Sequence, residues 1–166
     1  VETDIERFEQ GVRAAAEATT ARTACWEDAL AWCGDAPLED LRHWARADGR
    51  RAQLEELQLS AIEARWEAAL DEQAPADVIA DLEALVAAQP LRERRWSLLL
   101  LAYERAGRRI DGLRAFERAR RMLALELGVP PGPELVARYE SFFFDDPATP
   151  ETYTSSFQGV TLSDRR

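Results

Sequence analysis

The chain has 166 residues and a mass of 18.7 kDa, enough for one domain that buries its own core without disulfide staples. Hydrophobic residues make up 46% and charged residues 31%, a globular balance and not a disordered one. A formal net charge of −10 argues against whole-surface binding to a phosphate backbone, and all 21 basic residues are Arg.

The longest apolar run, Leu98 to Tyr103, is far too short to cross a bilayer, and Val1 to Gln10 is too charged for a secretory signal. No membrane contact and a cytoplasmic location are therefore expected. Because it starts on Val, the chain is expected to be a piece of a longer protein or a processed one.

Nearly everything before residue 145 has helical period: Ala is abundant, β-branched residues are sparse, and apolar residues recur at three and four. Thr3 and Glu6 form a capping box that starts a helix near Asp4, with Ile5, Phe8, Val12 and Ala15 facing inward. A second helix runs from about Ala21 to Cys33 and stops at Gly34. Ala36-Pro37-Leu38 is an extended connection, since the residue before Pro is pushed out of the helical region. A long third helix, roughly Ala47 to Asp71, carries two apolar stripes: Leu54, Leu57, Ala61, Ala64, Ala68 and Leu59, Ile62, Trp66, Leu70. Two buried faces place it in the middle of a stack.

Pro75 fits the first turn of a fourth helix whose core face is Val78, Leu82, Leu85 and Val86. Trp96, Leu99, Leu100 and Tyr103 mark a fifth, stopped at Gly107. A sixth is marked by Leu113, Phe116, Ala119, Leu123 and Leu127 and stopped at Gly128. After a rigid turn with three prolines, a short closing helix runs from Glu134 to about Phe143. Residues 145–166 form an extended Thr/Ser-rich tail, expected to pack on its own or a neighbouring chain with Phe157 as its anchor.

Short helices joined by tight turns suggest antiparallel hairpins and invite a search for repeats. With Trp96 on the first offset of a tetratricopeptide pattern, Leu99, Tyr103, Phe116 and Ala119 fall on theirs. Leu100 stands where Gly is common and Gly112 where Ala is, an exchange that conserves volume. The expected fold is all-α: a tetratricopeptide-like right-handed stack of about three antiparallel helix pairs plus a closing helix, over residues 1–144.

Chemistry is sparse. Cys25 and Cys33 have neither zinc nor redox spacing and read as small core residues. His43 is the only imidazole, and a packed or half-exposed polar role suits it better than that of a general base. With no Gly-rich phosphate loop, nucleophile elbow or HExxH, no metal, cofactor or catalytic site is expected.

Charge says more. Residues 92–121 carry +6 while the rest carries −16. Arg114, Arg118 and Arg121 follow i, i+4, i+7, one helical stripe. Either acids such as Asp77, Asp81 and Glu83 neutralise this hairpin from the preceding helix, or the stripe docks an acidic partner or nearby DNA phosphates. Of five Trp, Trp26, Trp66 and Trp96 fall on core stripes, whereas Trp44 lies among charged residues and is a candidate contact.

Four motifs occur in one order: Trp32-Cys33-Gly34-Asp35-Ala36-Pro37-Leu38; Pro90-Leu91-Arg92-Glu93-Arg94-Arg95-Trp96; Tyr103 to Leu113; and Glu126-Leu127-Gly128-Val129-Pro130-Pro131-Gly132-Pro133-Glu134-Leu135. Over residues 1–143 the chain resembles the bacterial transcriptional activator domain of the Streptomyces antibiotic regulatory proteins. Pro130 and Gln89 depart from the family's usual Asp and His, at local turn positions. The resemblance implies seven helices and a part in transcription activation, beside a DNA-binding domain outside this chain. The expected function is a protein–protein interaction and regulatory module. Its partner would be its own DNA-binding domain, a sister subunit in a homodimer, or RNA polymerase, and this chain alone is expected to make no direct nucleic-acid contact. The alternative is a regulatory domain attached to an enzyme such as a nucleotide cyclase or ATPase.

Overall fold

The computed structural model describes residues 3–34 and 48–144, the last three in backbone only. His43, Trp44, Phe157 and the whole 145–166 tail lie outside the described residues. Among the described residues there are seven α-helices and no strand: α1 (Asp4–Glu17), α2 (Arg22–Leu30), α3 (Asp48–Glu72), α4 (Pro75–Ala88), α5 (Glu93–Arg105), α6 (Arg109–Glu126) and α7 (Pro133–Phe144).

Local chemistry sets most of the boundaries. The Thr3 hydroxyl accepts from the Glu6 backbone N–H at 3.2 Å, and the Glu6 carboxylate accepts from the Thr3 N–H at 2.8 Å. Pro75 and Pro133 open α4 and α7, where a missing N–H costs nothing. Gly107 closes α5 at φ +67°, with its own N–H on the Glu104 carbonyl and the Arg108 N–H on the Tyr103 carbonyl. A side chain at this φ would be strained, so Gly is required there. The second helix ends at Leu30, earlier than the apolar pattern suggests, and a turn carries the chain to Gly34.

The helices enclose two cores that meet on α3. Phe8 and Ala15 of α1, Trp26 of α2, and Leu54, Ala61 and Ala68 of α3 form the first. The second takes Ala69 and Leu70 of α3 with Val78, Ile79, Leu82 and Val86 of α4. To these α5 adds Trp96 and Leu98–Leu100, α6 adds Ala115, Phe116 and Ala119, and α7 adds Leu135. Two faces of α3 are therefore used, but the second stripe is buried only at its end: Leu70 lies in the second core and Trp66 packs against it, while Leu59 and Ile62 are half-buried and belong to neither core. α4 lies mainly against α5, and α7 closes the stack on α5 with the Tyr139 ring stacked 4.1 Å from that of Phe116.

Three expectations need correction. Leu113 and Leu127 are exposed, because α6 turns Gly112, Ala115, Phe116, Ala119 and Leu123 inward and ends at Glu126. Cys25 and Cys33 are half-buried and pack against the edge of the first core instead of lying within it. Trp66 packs against the second core but is only half-buried, and its outer side lies under the Arg65 guanidinium, 4.3 Å from the ring centroid.

Candidate protein-interaction face

The arginine-rich α5/α6 hairpin meets two kinds of surroundings. On the α3 side its charge is taken up by acids of the same chain. Glu56, Glu63, Glu67 and Asp71 recur along one stripe of α3, seven and then four residues apart. Arg92 bridges the first two, with Nε 2.6 Å from Glu63 Oε1 and Nη1 2.8 Å from Glu56 Oε2. These bonds raise the Arg92 pKa above its ordinary value, and the same contact lowers that of Glu56. Arg94 joins Glu67 to Glu134 of α7, both at 2.7 Å. Arg105 reaches the Leu70 carbonyl at 2.7 Å and Asp71 at 2.9 Å. Arg95 goes furthest in: it is buried, donates to the Leu85 carbonyl at 2.8 Å, and sits 3.4 Å from the buried Glu63.

On the α4 side the predicted stripe divides. Arg118 gives two hydrogen bonds to Glu83 of α4, at 2.7 and 2.9 Å, and lies over the Trp96 ring at 5.4 Å. Tyr103 of α5 donates to the same carboxylate at 2.6 Å. Burial works to raise the Glu83 carboxyl pKa, yet the bonds from Arg118 and Tyr103 hold it below the ordinary range. Burial first, and then that carboxylate, pushes the Tyr103 phenol up to about 12. Arg114 is 76% exposed and only 3.8 Å from Asp111, a loose surface pair. Arg121 is exposed and has no ion pair among the described residues.

Beside this clasp, a groove of about 310 Å³ opens between the C-terminal halves of α4 and α6. Its lining is mainly apolar: Val86 and Ala87 from α4, Trp96 from α5, Met122 and Leu125 from α6. Glu83 and Arg118 close one end, and Arg121 stands on its rim. The Trp96 indole is fixed by donating to the Pro90 carbonyl at 2.8 Å. Leu125 is 82% exposed, and Leu91, Leu127 and Val129 are exposed at the same end of the α5/α6 hairpin.

The family model of the bacterial transcriptional activator domain matches residues 3–142. The chain belongs to this family. Regulatory protein AfsR of Streptomyces griseus is 38% identical to it over 132 residues, 80% of this chain and 13% of that protein. Regulatory protein DnrI of Streptomyces peucetius is 36% identical over 116 residues, 70% of this chain and 42% of that protein. A solved structure of Mycobacterium tuberculosis EmbR, in complex with a low-affinity phosphopeptide, superposes with a TM-score of 0.76. It is 33% identical over 88% of this chain and 40% of that one. This bacterial transcriptional activator domain thus spans less than half the length of these regulators.

Within the domain, the sequence brings Arg118 to Glu83 as one of the expected pairings, but most of the neutralising acids come from α3 and not from α4. The groove itself was not legible. Only one wall of it is visible in the sequence, on α6, where Arg118, Arg121, Met122 and Leu125 fall on one side at helical spacing. Among the described residues, no helix is long and apolar enough to cross a membrane.

Proposed function

We propose that this chain is the protein-interaction and regulatory module of a bacterial transcription regulator, acting in the cytoplasm with a DNA-binding domain that lies outside it. Its regulator relatives support this reading. The observation that carries it is the fate of the arginines. Arg92, Arg94, Arg95, Arg105 and Arg118 are bound to carboxylates of the same chain, so the hairpin's excess charge is largely spent internally. What stays open is an apolar groove with one free cation on its rim among the described residues. Such a surface suits a protein segment better than a phosphate backbone, which calls for many unspent charges.

In this reading residues 1–144 are the module and 145–166 a tail. Arg114 and Arg121 are partner contacts, while Arg118 positions Glu83 and Trp96. No catalytic step is assigned to the chain. The experiment is a comparison of the full-length regulator with a form lacking residues 3–142. Transcription from the target promoter should be lost while operator binding is kept. The isolated chain should not retard duplex DNA even in low salt; retardation there would overturn the reading.

A further inference from the structure

We propose that the α4/α6 groove receives a bulky apolar side chain from an acidic segment of a partner protein. The inference rests on the module reading above and names the chemistry of what the module grips. At about 310 Å³ the groove is at the low end of ligand pockets, which run from about 300 to 1,000 Å³. That is room for one or two large side chains and not for a packed helix.

The floor is rigid. Trp96 is buried in the core, pinned at Nε1 by the Pro90 carbonyl and covered by Arg118, so only its edge reaches the groove and that wall needs no reordering when an apolar group enters. Leu125 stands 82% exposed at the lip, a large aliphatic side chain with one face unused.

Charge selects the flanking residues. Arg118 is spent on Glu83, but Arg121 on the rim is not paired among the described residues, and Arg114 holds only a 3.8 Å surface pair. Arg114 and Arg121 are two turns apart on the same face of α6, about 10 Å along its axis. A segment lying along that face meets two cations and then the apolar lip. Carboxylates beside an apolar anchor complement this order, whereas basic residues would meet like charges at the exposed rim.

The test is a titration of the 166-residue chain with a fluorescein-labelled ten-residue peptide, read by polarisation. Its Leu-Phe pair is flanked by Glu on both sides. The comparison peptides replace every Glu by Lys, or the Leu-Phe pair by Ser-Ser. Each should bind at least about tenfold more weakly than the acidic apolar peptide. Arg121→Glu and Leu125→Ser should each weaken the acidic peptide by about tenfold. Both residues are exposed, so folding is expected to be unchanged, and far-UV circular dichroism checks this. Arg120→Glu makes the same charge change on the far flank of α6, where Arg120 pairs with Glu117, and should alter binding by less than about twofold.

Equal binding of the three peptides would overturn the proposal. So would an equal loss in Arg120→Glu, or a short DNA duplex that displaces the acidic peptide. In the full regulator, Arg121→Glu combined with Leu125→Ser should reduce transcription. If it does not, while loss of residues 3–142 does, the groove is discarded and the module reading stands.

Discussion

Arg95 Nε lies 3.4 Å from Glu63 Oε1, and both side chains are closed to water where α3, α4 and α5 meet. Two charges buried this way gain from each other only because other bonds complete the set. Arg92 supplies a second cation to Glu63 and the Leu85 carbonyl a further acceptor to Arg95. Burial is the main influence on Arg95 and lowers its pKa from the ordinary value, against the pull of Glu63.

Removing one partner strands the other. Glu63→Ala should cost about 3–5 kcal/mol of stability, because Arg95 would keep a buried charge with no carboxylate. Replacing both, with Glu63→Leu and Arg95→Met, should recover most of that loss. Urea unfolding of Glu63→Ala and of the double variant measures the effect. A Glu63→Ala protein as stable as the parent would show that water reaches the site.

The Glu83 clasp gives stability a definite pH dependence. The folded pKa of Glu83 is depressed, so its contribution is present above the ordinary carboxylate value and is lost as pH falls through the lowered one. Tyr103 has the opposite sign of shift. Its stabilisation is whole below pH 10 and is lost as pH rises from about 10 to about 12. Glu83→Gln should flatten the acid limb of a thermal-melting profile, and Tyr103→Phe the alkaline limb. Ultraviolet absorbance of the phenolate should show Tyr103 ionising near pH 12.

The fold was far more legible in the sequence than the site. Caps and breakers act locally, so Thr3, Pro75, Gly107 and Gly128 locate helix ends without tertiary information. The paired stripes on α3 likewise foretell a helix between two cores. The groove, by contrast, depends on where α4 and α6 are held relative to each other, and no spacing along one helix encodes that separation. Glu63 shows the same limit: a Glu in a helix reads as solvated surface, and only the approach of Arg92, just before α5, and Arg95, in its first turn, makes its burial tolerable. Leu113 misleads for a related reason. Small residues at Gly112 and Ala115 bring α6 close to its neighbours, and the larger side chain is left at the edge.

Close approach also governs α1 and α2. A Cβ added at Gly11 would lie 2.9 Å from the Ala29 Cβ and 3.0 Å from its Cα, where backbone cannot give way. Gly11→Ala gains up to about 1 kcal/mol of helix propensity. Against this stands an overpacking cost of about 1–3 kcal/mol. The net result should be a less stable protein by calorimetry. Ala29→Gly in the Gly11→Ala background should restore part of the loss, a coupling that a propensity effect alone would not produce.

α2 has no cap of its own: Ala21 precedes it in a left-handed conformation, at φ 48°. Glu72, at the end of α3, accepts instead from the Arg22 N–H at 2.6 Å and the Thr23 N–H at 3.2 Å. Glu72→Ala should speed hydrogen exchange at these two amides while leaving those in the middle of α3 unchanged. Unchanged exchange at Arg22 and Thr23 would mean that solvent already replaces the carboxylate.

The 25-residue α3 gives Ala68 to one core and its neighbour Ala69 to the other. A single rod, about 37 Å long, is thus the common wall of both halves. Neither half can melt without stripping a side from its companion, so heating should give one transition instead of two. The described residues also offer no seam at which to cut them into two self-sufficient pieces, and anything that tilts the rod from one end is felt at the other.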